Sequence, residues 1–229
     1  MTGPAGTDKR EPRRSKYNWS LRAPLARWLE DEGTSAQGLR VLDVGCGDKP
    51  YGVYFAAARE YVGVDPANPA ADVRATAEEL PFADESFDVV LCIQVLEHID
   101  APGRAVRELH RVVRRGGRVL AATHGAYPYH PGPGDHWRWT HTGLERLFRE
   151  NGSWTSVEVE AGAGTASAVA LLQGHYLELV AKRVHAVWAG RVAVWTLNTL
   201  AARLDRRVEM LHKPVPGSLA ANFHVVAVR

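Results

Sequence analysis

The stretch VLDVGCGDKPY, residues 41–51, limits what this chain can become more than any other. An apolar run with the character of a buried strand stops abruptly at Gly45, and a second glycine follows at Gly47. Glycines just past such a strand leave no Cβ in the way, so the backbone can take unusual dihedrals and a ligand can approach it closely. Similar valine-rich runs recur at 60–65, 87–94 and 117–124, with helical patterns around 52–59 and 102–114 between them. Short strands alternating with helices predict a parallel sheet covered on both faces, a doubly wound α/β fold whose ligands sit at the carboxyl ends of the strands. Before these comes SLRAPLARWLEDEG, an amphipathic helix with Leu21, Leu25, Trp28 and Leu29 on one stripe, ended by Gly33.

A lone G-x-G decides little. The dinucleotide fingerprint wants a third glycine at position 50, and Pro50 stands there, which argues against a nicotinamide enzyme. Asp65 closes the second strand 18 residues after Gly47, where a carboxylate can accept hydrogen bonds from both hydroxyls of a ribose.

With ATAEELPFADESFDVVLCIQVLEHI, residues 75–99, and ELHRVVRRGGRVLAAT, residues 108–123, the pattern resembles the class I S-adenosylmethionine-dependent methyltransferases of the type-11 kind. VLDVGCG resembles their first motif, YVGVD their second-strand acid, and the match runs over about residues 38–152. The resemblance implies a Rossmann-like seven-stranded sheet, S-adenosyl-L-methionine as cofactor, and methyltransferase activity. Carried onto this sequence, it implies that Asp43, Gly45 and Gly47 line the methionine end of the cofactor and that Asp65 holds the ribose. The resemblance also implies that Thr76, Ala77 and Glu78 border the adenine and that Gln94 faces the sulfonium end. Thr76 stands where many relatives have an aspartate for the adenine amino group, so the backbone near Ala77 or the carboxylate of Glu78 would replace that contact. Glu97 and His98 either anchor the following loop or touch the ligand directly.

After the fourth of these strands, THGAYPYHPGPGDHWRWTHTG, residues 123–143, carries prolines and glycines that exclude a helix or a central strand. It reads as an ordered loop across the site, dense in aromatics and histidines. Together with GCGDKPY it resembles a methyltransferase group associated with glycan and small-molecule biosynthesis. That implies a hydroxyl, or carboxyl, of a small-molecule or glycan-type acceptor. His130 or Asp135 could take the proton, Trp137 or Trp139 could stack on a sugar face, and Arg138 could pair with a carboxylate or phosphate. Asp135 and Arg138, three apart, could equally pair to fix the loop. The spacing of His124, His130, His136 and His141 suits no metal, and no metal is expected.

A strand at 154–161 and a last strand at 221–229 enclose residues 162–217, read as an inserted pair of helices near 165–186 and 188–211, after which HKPVPG turns back. A lid over the site, a homodimer surface and a peripheral membrane contact are its three readings. Lys9, Arg10, Arg13, Arg14 and Lys16 crowd the first sixteen residues, which read as a disordered basic tail before a domain over 17–229. Because the whole chain's formal charge is only +2, no basic face remains for nucleic acid. A motif for methylating base amines is also missing. Cys46 and Cys92 in apolar runs suggest reduced thiols and a cytoplasmic setting, the N-terminus shows no secretory leader, and no stretch suits a membrane span. A binding protein that kept the fold without turnover is the alternative function.

Overall fold

The computed structural model describes residues 12–208 and 214–229. The chain runs through α1 (Trp19–Thr34), β1 (Arg40–Val44), β2 (Glu60–Val64), β3 (Phe87–Ile93), α2 (Pro102–Val112), β4 (Val113–His124), α3 (His141–Glu150), β5 (Ser156–Ala161), α4 (Thr165–Arg183), α5 (Val187–Arg207) and β6 (Asn222–Val228). The strands form one sheet in the order β2-β1-β3-β4-β6-β5. The first four are parallel, and β6 enters antiparallel between β4 and β5.

Alternate residues of each strand feed two cores. Leu42, Val44, Val90 and Cys92 face α2 and α3, which contribute Leu109, Val112, Leu144 and Phe148. Val41, Val89, Leu91 and Ile93 face the other way, against Leu25 and Leu29 of α1 and Ala168 and Leu171 of α4. Burial on both sides explains why β1 and β3 read as continuous apolar runs.

Among the described residues the sheet has six strands where the resemblance implied seven. The third is reduced to a single parallel bridge, Val64 to Val73. Here Asp72 Oδ2 accepts the Gly63 N–H at 2.7 Å and the Gly63 carbonyl accepts from Asp72 N, so one side chain takes the donor that a longer strand would use. Pro66, Pro69 and Pro81 cannot donate to a ladder either. The helix expected over 52–59 is a single 3₁₀ turn, Gly52–Phe55, because Phe55 is buried and Arg59 N must already return to the Leu39 carbonyl.

The inserted helices form a hairpin. It is tied down by the stretch before α1: Asn198 Nδ2 donates to the carbonyls of Arg14 and Lys16, and Glu178 accepts from Tyr17 N. The rest of the expected basic tail, residues 1–11, the end expected for the second inserted helix at 209–211 and the first two residues of HKPVPG lie outside the described residues. Asp205, 4% exposed, reaches from α5 to the first turn of α4 and accepts from Ala166 N and Ser167 N at 3.1 and 3.0 Å. It caps one helix from the other, satisfying donors that have no partner within α4. Asp205→Ala orphans both, and the unfolding free energy in a urea titration is expected to fall by about 1–3 kcal/mol, with Asp205→Asn recovering part of the loss.

Candidate active site

β1 has parallel neighbours on both sides, and the chain leaves it for β2 on one side and later returns as β3 on the other, so the crevice at its carboxyl end is a topological switch point. Gly45 and Gly47 occupy it with φ of +71° and +50°. They serve different ends. A Cβ at Gly45 would stand 2.3 Å from Val95 Cγ2, so that glycine lets the post-β3 turn close over the strand end. A Cβ at Gly47 would meet nothing nearer than the Asn68 amide at 4.0 Å, which leaves its backbone open.

Asp65, at the end of β2, accepts from Ala67 N and Asn68 N through Oδ1 and from Gly47 N, at 3.2 Å, through Oδ2. The carboxylate is thereby turned toward the glycine turn, and Oδ2 keeps a lone pair for a ribose hydroxyl. Asp43 is buried under the turn with the Tyr61 hydroxyl donating to Oδ2 at 2.6 Å, and it carries this turn from below. Thr76 is exposed and paired with Glu79 in a tight bridge, Ala77 is buried, and Glu78 is half-buried beside them. Gln94 takes a left-handed φ of 58°, donates its N–H to Ala122 and ties its side-chain amide to Asn222 Oδ1 at the start of β6. An open glycine turn, an oriented carboxylate and an edge at Thr76–Glu78 fit a nucleoside.

Glu97, which sequence reasoning left undecided between anchor and contact, is an anchor. The side chain is fully buried, Oε2 accepts from Thr123 Oγ1 at 2.8 Å, and its carbonyl accepts from His136 N and Trp137 N in the following loop. Burial raises its pKa to about 7, against the hydrogen bonds that favour the carboxylate. Oε1 lies 3.2 Å from His124 Nε2 without hydrogen-bond geometry. That contact is no ion pair, because burial, with the charges of His130 and Arg138, drives His124 down to about 2.

Over this floor the loop is folded on its own polar groups. Asp135, its side chain 2% exposed, accepts two bonds from the Arg138 guanidinium at 2.5 and 2.7 Å and one from His130 N. Those contacts, the arginine first, hold its carboxyl well below the usual range. Arg138 spends its other donors on the carbonyls of Tyr127, Pro128 and Trp137. The pair fixes the loop, as the alternative reading of their spacing held. Trp137 donates to the Ile99 carbonyl and stacks on Trp139 at 5.6 Å. His98 bonds the Gly134 carbonyl through Nδ1. The loop histidines disperse. His124 stacks under Tyr127 at 3.9 Å, His136 stands near Asp100, and His141 bonds the Val159 carbonyl. Among the described residues no group of three or more His, Cys, Asp or Glu is placed to hold a metal ion.

His130 sits inside the ring cluster with its Nδ1 lacking a hydrogen-bond partner. It sits edge-on to His98, His124 and Tyr127 at 5.0–5.4 Å, with Nδ1 3.6 Å from Asp135 Oδ1. Burial lowers its pKa against the pull of Asp135, so the ring is neutral near pH 7. Tyr127 and Thr123 belong to this cluster and were not singled out from the sequence, where nothing marks them apart from their neighbours. On the β4–β6–β5 side a cavity of about 910 Å³ opens, lined by Trp139, Thr142, Val159, Glu160 and Leu219 among others. Trp139 Nε1 is buried there without a partner.

The α/β sheet with its glycine turn and ribose-type acid at the switch point is similar to the fold of S-adenosylmethionine-dependent methyltransferases. Residues 42–121 match the model of the family described as "Methyltransferase domain". An uncharacterized methyltransferase of Mycobacterium marinum is 38% identical over 107 residues, covering 41% of this chain and 42% of its own. One of Mycolicibacterium gilvum is 35% identical over 142 residues, 55% of this chain and 56% of its own. The chain thus spans about half the length of these relatives. Among solved structures, the [4+2]-cyclase SpnF aligns with a TM-score of 0.58 at 19% identity, over 92% of this chain and 83% of that one. A Thermotoga maritima protein described as a possible histamine N-methyltransferase gives 0.56 at 16%, over 91% and 90%. At such identities these two show the fold alone.

Because Glu97 is raised above its unfolded value near 4.5, the folded state holds the extra proton between about pH 4.5 and 7. Stability is therefore expected to fall as pH rises through that window, by up to about 1.4 kcal/mol per pH unit. Denaturant titrations of Glu97→Gln across the same range should show a flatter profile.

Proposed function

We propose that this chain transfers the methyl group of S-adenosylmethionine to a hydroxyl, or carboxyl, of a small-molecule or glycan-type acceptor, in a cytoplasmic setting. His130 carries the reading: a neutral, partly exposed imidazole beside a firmly ionised carboxylate, on a loop anchored above the carboxyl ends of β3 and β4. When bound, the cofactor supplies an electrophilic methyl on a good leaving group, so the protein has mainly to align and deprotonate.

In this reading Gly45 and Gly47 let the backbone meet the cofactor's methionine end above Asp43, Asp65 holds the ribose, Thr76–Glu78 border the adenine, and Gln94 sets the wall near the methyl. Asp135 acts as a positioning residue: it favours the proton on His130 Nδ1 and leaves Nε2 to accept the proton of an acceptor hydroxyl. The exposed face of Trp137 and the unpartnered Trp139 Nε1 offer an aromatic surface and a donor to a polar ring, while Arg138, its donors already spent, holds the loop that presents them.

Fold alone does not fix the reaction, as a [4+2]-cyclase on the same fold illustrates. A binding protein without transfer is the second reading, favoured by the exposed Thr76 at the adenine edge. Calorimetric titration with S-adenosylmethionine, followed by screening sugar hydroxyls and carboxylates for release of S-adenosylhomocysteine, separates the two. Asp65→Ala is expected to weaken cofactor binding at least tenfold. His130→Gln is expected to leave binding intact and slow transfer to a hydroxyl by roughly 10²–10⁴. Tight cofactor binding with no turnover on any acceptor would instead establish the second reading.

A further inference from the structure

The α4–α5 hairpin buries only one side. On α4, Ala168, Leu171 and Gly174 face the body of the protein, while Val169, Leu172, Tyr176 and Val180 recur at helical spacing on the outer side. On α5, Gly190, Val194, Asn198 and Ala201 turn inward, and Trp188, Val192 and Trp195 turn out. Tyr176 is 67% exposed, Trp188 78% and Trp195 50%, an unusual outlay of large apolar area. Gly190 meets Ala181 so closely that a Cβ there would be 2.4 Å from the alanine methyl, which keeps the two helices tight.

Charge selects what covers that surface. Across residues 165–207 there are six basic side chains and two acids. Both acids are engaged away from the outer stripes, Glu178 with Tyr17 N and Asp205 with the first turn of α4. The tip between the helices is apolar, with Val184, Val187 and Trp188 exposed, and Lys182, Arg183 and Arg191 bracket it, all exposed. A second copy would bring the same surplus of positive charge against itself. An apolar face with tryptophans and a cationic rim instead matches a lipid surface carrying negative headgroups, with no helix long and apolar enough to cross it among the described residues.

We propose that the α4–α5 hairpin docks the protein on an anionic lipid surface, its tip and the Trp188–Trp195 stripe in the headgroup layer. The hairpin adjoins the active-site loop: Tyr17 packs edge-on to His175 of α4 at 4.7 Å, and its hydroxyl lies 3.4 Å from that of Tyr127. Docking there holds the loop close to the lipid surface, where an acceptor anchored in the membrane would arrive. This last consequence rests on the methyl-transfer reading, while the docking itself does not.

The test is co-sedimentation of the full chain with vesicles of phosphatidylcholine alone and of equal parts phosphatidylcholine and phosphatidylglycerol, at low and high salt. It is run beside two variants, Trp188→Ser with Trp195→Ser, and Lys182→Gln with Arg183→Gln and Arg191→Gln. Their circular dichroism and melting temperature check the fold independently of cofactor or turnover. The expected result is salt-sensitive binding to the anionic vesicles with a blue shift in tryptophan emission, reduced at least tenfold in either folded variant. No binding by the wild type, or binding that both variants retain in full, overturns the proposal. A non-binding wild type that is dimeric in ultracentrifugation, and monomeric as Trp188→Ser with Trp195→Ser, would assign the face to a second copy instead.

Discussion

Glu97 is the point on which the carboxyl end of this molecule hangs. Its side chain accepts from Thr123 at the end of β4, its carbonyl holds His136 and Trp137 of the loop, and the turn that carries it packs Val95 against Gly45. One buried residue thus fixes two strand ends, the glycine turn and the loop relative to one another. A carboxyl in so dry a place leans toward its neutral form, which lowers the cost of burying it, and the Thr123 hydroxyl satisfies the oxygen that would otherwise be most exposed to that cost. The consequence is a floor that cannot shift piecemeal beneath His130.

Most of the sheet was legible because its strands are buried on both faces. Val41–Val44 and Val89–Ile93 feed two cores at once and so read as unbroken apolar runs, while Gly45 marks the strand end by a packing need that no other residue meets. The further strand that the resemblance implied is reduced to a bridge for a local reason. Asp72 competes for the edge of β2 with its side chain, and an aspartate in a polar stretch does not declare which donor it will take. The segment 52–59 looked helical because its second half, Ala56 to Arg59, is of good helix composition and carries no record of how soon the chain must return to β2.

The site divides along the same line. Gly47, Asp65 and the Thr76–Glu78 edge sit within one continuous βαβ region, so order along the chain predicts their meeting. The loop cluster does not follow from order. His98, His124, Tyr127 and His130 converge from the end of β3, the end of β4 and the loop between β4 and α3, and only the anchoring at Glu97 brings them within ring contact. Of the two readings of Arg138, a partner for an acceptor's carboxylate or phosphate and a partner for Asp135, its hydrogen bonds go to the second, to Asp135 and to loop carbonyls. A guanidinium with five donors is as well suited to stapling a proline-rich loop, whose carbonyls lack helical partners, as to holding a ligand.

The matched family region ends at residue 121, two residues before the loop begins. What lies within it, strands β1 to β3 and the first part of β4, builds the crevice proposed for the cofactor. Everything proposed here for the acceptor, from His130 to the cavity beside Trp139 and the hairpin at 165–207, comes after it. That order has a structural reason. β6 returns antiparallel between β4 and β5, so the connection from β5 to β6 starts at the edge of the sheet away from β2, and its first helix, α4, packs Ala168 and Leu171 back onto the face that β1 and β3 share with α1. The stretch at 12–18 then folds back across the hairpin, and through Tyr17 the insertion meets the loop rather than the cofactor turn. The residues proposed for the acceptor and for docking thus lie outside the crevice proposed for the cofactor.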